Sequence, residues 1–136
     1  PIAQIADRVG LSQTPCWKRI QKLEANGVLT RRVALADPAM LGFGLTVFVG
    51  IEAPDHGTAW RAAFARAIDA LPEVMEAWRM AGDIDYLLRV AVPDMAAYDR
   101  FYRALTDAVA IKNVTSQFAM ERLRHTTAYP VNTRDR

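Results

Sequence analysis

Apolar residues recur at helical spacing from the first positions of the chain. Ile2, Ile5, Ala6 and Val9 share one face, and Gly10 supplies a residue that can turn left-handed at a helix end. Leu11 is apolar, Ser12 reads as an N-cap, and Pro15 falls in a first helical turn, where its missing N–H costs little. From Gln13 onward Cys16, Ile20 and Leu23 stand at i, i+4 and i+7, the inward stripe of a second helix that Asn26-Gly27 closes before Val28-Leu29. The turn between the two helices is short, so they must cross steeply.

The pattern then changes period. Arg31 to Ala36 is β-prone and ends at the Asp37-Pro38 turn; Leu45, Val47, Val49 and Ile51 alternate with Thr46, Phe48, Gly50 and Glu52, predicting a largely buried strand. Thr58 reads as the N-cap of a helix with Trp60, Phe64, Ile68 and Leu71 on its apolar stripe, running to Pro72. Glu73 to Ala81 and Tyr86 to Val92 read as a hairpin about Gly82-Asp83-Ile84-Asp85. Asp94 caps a helix carrying Tyr98, Phe101, Tyr102, Leu105 and Val109, and Val114, Ser116, Phe118 and Met120 alternate in a last strand. The order β-α-β-β-α-β is the ferredoxin-like arrangement, a four-stranded antiparallel sheet with both helices on one face.

The predicted fold class is therefore α+β. Residues 1–30 are expected as a helix-turn-helix, residues 31–41 as a hinge strand and linker, and residues 42–136 as the sheet domain. The helix-free face of the sheet, with Thr46, Phe48, Arg79, Trp78 or Met80, and Phe118 or Ala119, holds more apolar area than water normally sees, and a second copy is expected to cover it.

Composition bounds the rest. Among 136 residues, 51% are hydrophobic and 24% charged, and seven Gly and seven Pro are too few for a low-complexity chain. The longest apolar runs fall well short of the roughly 20 residues of a membrane span, and no export signal precedes them; no membrane partner is expected. Cys16 has no second cysteine to pair with, and with His56 and His125 it makes too few soft ligands for structural zinc. No metal and no cofactor is expected, and the expected compartment is the reducing cytoplasm. Because Pro1 is not Met and the helical pattern is already running at Ile2, further chain is expected upstream.

Charge is more informative divided than summed. Residues 1–32 carry six basic side chains against two acidic ones, +4, whereas the remaining 104 residues carry eleven against thirteen, −2. A basic head on a slightly acidic body points to a polyanion partner for the head. The outward face of the second helix displays Gln13, Thr14, Trp17, Lys18, Gln21 and Lys22, with Arg19 on its flank. Short polar residues at the N-terminal end can reach base edges in a major groove and the cations further along can reach phosphates, which makes double-stranded DNA the expected partner. Trp17 has two equal readings: stacking on sugar or backbone, or folding back onto its own domain.

A small dimeric enzyme of the same fold, or an amino-acid sensor acting without DNA, are the competing classes. No catalytic residue is assigned: there is no Gly-rich phosphate loop beyond Gly42-Phe43-Gly44 and no singular carboxylate pair. His56 and His125 lie in polar surroundings, and Cys16 lies on an inward stripe.

Val9-Gly10-Leu11-Ser12-Gln13-Thr14-Pro15-Cys16, Arg19, Leu23, Glu24 and Gly27, with Ala81-Gly82-Asp83-Ile84-Asp85-Tyr86-Leu87-Leu88 and Val92-Pro93-Asp94, give the chain its family likeness. Over essentially its whole length it resembles the leucine-responsive and asparagine-responsive (Lrp/AsnC, feast/famine) transcriptional regulators of bacteria and archaea. Pro15 to Arg19, Phe48, Trp78 to Gly82 and Thr115 to Met120 look closest to the regulators of cysteine detoxification in enteric bacteria. The resemblance implies a winged helix-turn-helix, whose first helix would lie ahead of Pro1, joined by a hinge strand to a domain that dimerises and often builds octamers. It also implies that small amino acids bind between neighbouring dimers, by the turn joining the middle strands.

Here that turn is Ala81-Gly82-Asp83-Ile84-Asp85-Tyr86, which by itself reads as an ordinary hairpin turn. With the resemblance, its amides and Asp83 or Asp85 become the expected receivers of a carboxylate and an ammonium. Met80, Tyr86, Thr115 and Ser116 are the expected walls. Ala81 stands where many relatives carry Ser, which removes a hydroxyl, and Val109 to Asn113 lacks the Gly that relatives often carry there.

Overall fold

In the computed structural model, which describes residues 1–131, the chain divides into two compact units, Pro1–Ala36 and a second beginning at Asp37. The first unit contains α1 (Ile2–Arg8) and α2 (Gln13–Ala25). Gly10 (φ +66°) and Gly27 (φ +72°) take the left-handed backbone that ends each helix, a region L side chains rarely enter. Ser12 occupies the N-cap position of α2 with extended backbone, but its hydroxyl bonds no helix N–H; the cap expected of it is positional only. The inward stripe also fades along α2. Cys16 is buried and Ile20 half-buried, but Leu23 is 41% exposed.

Residues 31–36, expected as a hinge strand, form none. The segment finds no backbone partner among the described residues, and β-propensity without a neighbouring strand makes no ladder.

The second unit follows the expected order: β1 (Leu45–Glu52), α3 (Thr58–Asp69), β2 (Val74–Arg79), β3 (Tyr86–Val92), α4 (Met95–Ala108) and β4 (Asn113–Phe118). The strands form one antiparallel sheet in the order β2-β3-β1-β4. Val47, Val49 and Ile51 on β1 and Leu88, Val90 and Val92 on β3 point to one face and are fully buried against Trp60, Phe64, Tyr98, Phe101 and Leu105 of the helices. Trp60 stacks on Phe64, with centroids 5.0 Å apart, and both meet Tyr86 at a tilt, which closes one end of this core. Asp94 caps α4 as expected, accepting from the Ala97 N–H at 2.8 Å. Thr58 does not cap α3: Gly57 takes that position, and Thr58 begins the helix with its hydroxyl facing Arg61 at 3.4 Å.

Register corrects the face assignments. Arg79 pairs with Tyr86, and Phe118 with Val47, so both lie on the helix-covered side, where Phe118 meets Tyr98 edge-on. A bulge between Val74 and Glu76 shifts the register of β2 and brings Glu76 and Trp78 to the other side. The open face therefore carries Phe48, Glu76, Trp78, Leu87, Arg89 and Gln117, and Met120 lies past the end of β4.

Candidate nucleic-acid interface and effector turn

All seven residues expected to read DNA lie on or next to α2, and Ser12, Gln13, Thr14, Trp17, Lys18, Arg19 and Lys22 are all exposed. Gln13 and Thr14 open the helix, and Lys18, Arg19 and Lys22 follow within the next turns, so polar tips and cations are graded along one rod. Trp17 resolves toward its own unit: the Arg32 guanidinium sits over its ring, 5.5 Å from the centroid, while the indole stays 38% exposed. Arg32 also pairs with Glu24 at 2.7 Å. Reasoning from the pattern missed Arg32 as part of this surface, because it lies ten residues beyond Lys22 and only the folded backbone returns it to α2.

On the second unit, the β2–β3 connection has Gly82 at φ +143°, a conformation that favours glycine, with Ala81, Gly82 and Asp83 exposed. Asp85 is committed differently. Its Oδ2 accepts from the Ala53 N–H at 2.8 Å, its own N–H donates to Ile51 O at 2.8 Å, and its carbonyl accepts from the Met80 N–H at 2.8 Å. The Asp85 side chain thus clasps the hairpin to the end of β1, and its second oxygen lies 3.9 Å from His56 Nε2. Asp83 is the exposed, uncommitted carboxylate of the turn.

Two of the expected wall residues point elsewhere. Tyr86 belongs to the aromatic end of the core, and Ser116 hydrogen-bonds Tyr98 Oη on the helix side; burial there raises the Tyr98 pKa above its ordinary value, against the effect of the Ser116 bond. Thr115, one residue earlier, faces the open side by strand alternation. There it joins Gly50, Ile84, Leu87 and Gln117 around a depression of about 100 Å3. A Cβ at Gly50 would come within 3.2 Å of Ile84, so glycine keeps this floor low. Gly50, Ile84, Leu87 and Gln117 were not anticipated; the signal available was the single glycine within the buried run of β1. Met80 is 40% exposed beside the turn.

Beyond the turn, Glu52 at the end of β1 accepts from Asn113 and pairs with Lys112 at 3.3 Å, and these contacts hold its carboxyl below the ordinary range. Among the described residues no group of three His, Cys, Asp or Glu side chains could hold a metal, and no helix is long and apolar enough to cross a membrane.

A basic helix-turn-helix and a ferredoxin-like sheet on one chain define a class of proteins that join a DNA-reading unit to a ligand-binding one. Residues 1–30 match the winged helix-turn-helix DNA-binding family, and residues 46–129 match the Lrp/AsnC ligand binding domain. The chain belongs to the Lrp/AsnC family.

Among curated relatives it is 47% identical over 128 residues to the DNA-binding transcriptional activator DecR of Escherichia coli, covering 93% of this chain and 84% of that one. It is 43% identical to the glutamate uptake regulatory protein of Zymomonas mobilis, covering 96% and 79%. Among solved structures it is similar to an AsnC family transcriptional regulator from Agrobacterium tumefaciens (TM-score 0.91, 50% identity, covering 96% and 85%). A transcriptional regulator from Neisseria meningitidis in complex with L-Met is also similar (TM-score 0.91, 29% identity, covering 97% and 86%).

Proposed function

We propose that the protein is a sequence-specific DNA-binding transcriptional regulator whose assembly or DNA affinity responds to a small amino acid. One observation carries this reading: a single chain holds both a winged helix-turn-helix and an Lrp/AsnC ligand binding domain. Gln13 and Thr14 contact base edges; Lys18, Arg19 and Lys22 contact phosphates; Ser12 and Trp17 border that surface. The amino acid binds at Ala81, Gly82 and Asp83, its ammonium on the Asp83 carboxylate and its carboxylate on turn amides, with Met80 and Thr115 nearby and Asp85 holding the turn in shape. The L-Met complex of the Neisseria relative supports this ligand class, and cysteine is the second candidate through the likeness of Pro15 to Arg19 and Thr115 to Met120 to cysteine-detoxification regulators.

The open sheet face, with Phe48, Trp78 and Leu87, is covered by a second copy, and dimers assemble further into octamers as the effector dictates. A homodimer also presents two reading helices to two half-sites. The protein works without catalysis, in the cytoplasm where its DNA lies.

A thermal-shift panel of the twenty amino acids, combined with band shifts on the protein's own upstream DNA, tests the reading. A ligand that prefers the folded state raises the melting point by mass action. Methionine or cysteine raising it and altering the band shift is the expected result; absence of any DNA affinity would overturn the regulator reading.

A further inference from the structure

We propose that Arg32 is a positioning residue for DNA recognition: it ties the chain beyond Leu29 onto the outward face of α2, cancels the acidic charge there and fixes the Trp17 indole within the reading surface. The inference rests on the DNA-binding reading above.

Glu24 is the one acidic residue of α2, and it stands seven residues after Trp17, two turns along the same stripe as Gln13. A free carboxylate on that stripe would repel the phosphates that Lys18 and Lys22 attract. Arg32 answers both neighbours at once, its Nη2 2.7 Å from Glu24 Oε1 and its guanidinium carbon 5.5 Å from the Trp17 ring centroid. With the two side chains of the pair 56% and 38% exposed, an ion pair of this kind adds little to folding, so its placement is better accounted for by what it does to the surface. The dual contact also calls for arginine: a planar fork can pair with a carboxylate while stacking on an indole, whereas an ammonium is a compact, strongly hydrated point charge.

The test compares Arg32→Ala, Arg32→Lys, Glu24→Ala and the Arg32→Ala/Glu24→Ala double variant of the intact protein. Binding is read on the upstream DNA and on an unrelated duplex, and 19F NMR of 5-fluorotryptophan-labelled protein follows the Trp17 signal, assigned with Trp17→Phe. Arg32→Ala is expected to lose about tenfold in specific affinity, the scale of one good contact. It should also lower the specific-to-nonspecific ratio and shift the Trp17 signal. Adding Glu24→Ala should recover part of the affinity, and Arg32→Lys should recover nonspecific binding but not the ratio.

An unmoved Trp17 signal would overturn the proposal. So would an equal loss in the Glu24→Ala background with the salt slope reduced by about one, which would make Arg32 a plain phosphate contact. Should Arg32→Ala unfold the head, Arg32→Lys decides: a normally folded lysine variant with the full ratio overturns the positioning role. A wild-type protein without DNA affinity overturns the regulator reading and this inference together, whereas the other adverse results remove Arg32 alone.

Discussion

In the second unit the apolar stripes of β1, β3, α3 and α4 meet and leave Val47, Val49, Ile51, Leu88, Val90, Val92 and Leu105 with no exposure, whereas in the first unit only Ala6 and Cys16 are buried. Ile5, Val9, Leu23, Val28 and Leu29 of the first unit all stay in contact with water, and Pro1, Ile2, Ile5, Ile20, Leu29 and Arg32 line an apolar groove of about 460 Å3. The contrast separates two ways of specifying structure. The sheet unit is held by its interior, and the head is shaped by local signals: two left-handed glycines, a first-turn proline and a surface latch.

The largest test of that contrast is a pair of truncations. Phe101→Ala should cost about 3–5 kcal/mol, a large part of a typical domain's stability, while Ile20→Ala, at a half-buried site, should cost about 1 kcal/mol. Urea unfolding followed by circular dichroism measures both, and equal costs would erase the distinction.

Next comes the division of labour between Asp83 and Asp85, two positions apart in one turn. Asp85→Ala strands the Ala53 N–H and should cost about 1–3 kcal/mol, while Asp83→Ala should stay within about 0.5 kcal/mol of wild type. The same Asp83→Ala variant should abolish the amino-acid response and leave DNA affinity in place, as thermal shift and band shift together would reveal; a retained response would clear the turn of its role.

In the head, Lys18→Ala should weaken binding about uniformly across sequences and lower the salt slope by about one, whereas Gln13→Ala should relax sequence preference. Anisotropy titrations at several salt concentrations separate the two, and an unchanged slope would remove Lys18 from the phosphate contacts.

The smallest effect is acid sensitivity on the open face. The Arg89 guanidinium, 2.7 Å from Glu76 Oε1, holds the Glu76 carboxyl below its ordinary range. A depressed carboxylate stabilises the fold above its unfolded pKa, and that contribution is lost as pH falls through the folded value. Glu76→Gln should therefore flatten the acid limb of stability below the ordinary glutamate range and leave the neutral region nearly unchanged, as melting curves from neutral to acid pH would record.

Element type and order were legible in the chain because period-2 and period-3.6 patterns are strong in β1, β3, α2 and α4. The limits of β1 and β3 came out as expected for the same reason: each is a buried apolar run closed by turn residues. The polar, basic face of α2 was legible too, since outward residues on one rod need only helical geometry to be placed. The surroundings of the β2–β3 turn were less so. Tyr86 and Ser116 were expected as walls of the turn site through the family resemblance, and strand alternation sends both to the helix side.

Local spacing thus determined the helices, the strands and the basic face of α2, because each depends on side chains a few residues apart. Only folding decided that Asp85 is a clasp and Asp83 a free carboxylate, that Gly50 floors a depression under Ile84, and that Arg32 closes over Trp17. Those outcomes depend on pairing register, a β-bulge and chain reversals that join residues 15 to 34 positions apart, and no short-range periodicity encodes such distances.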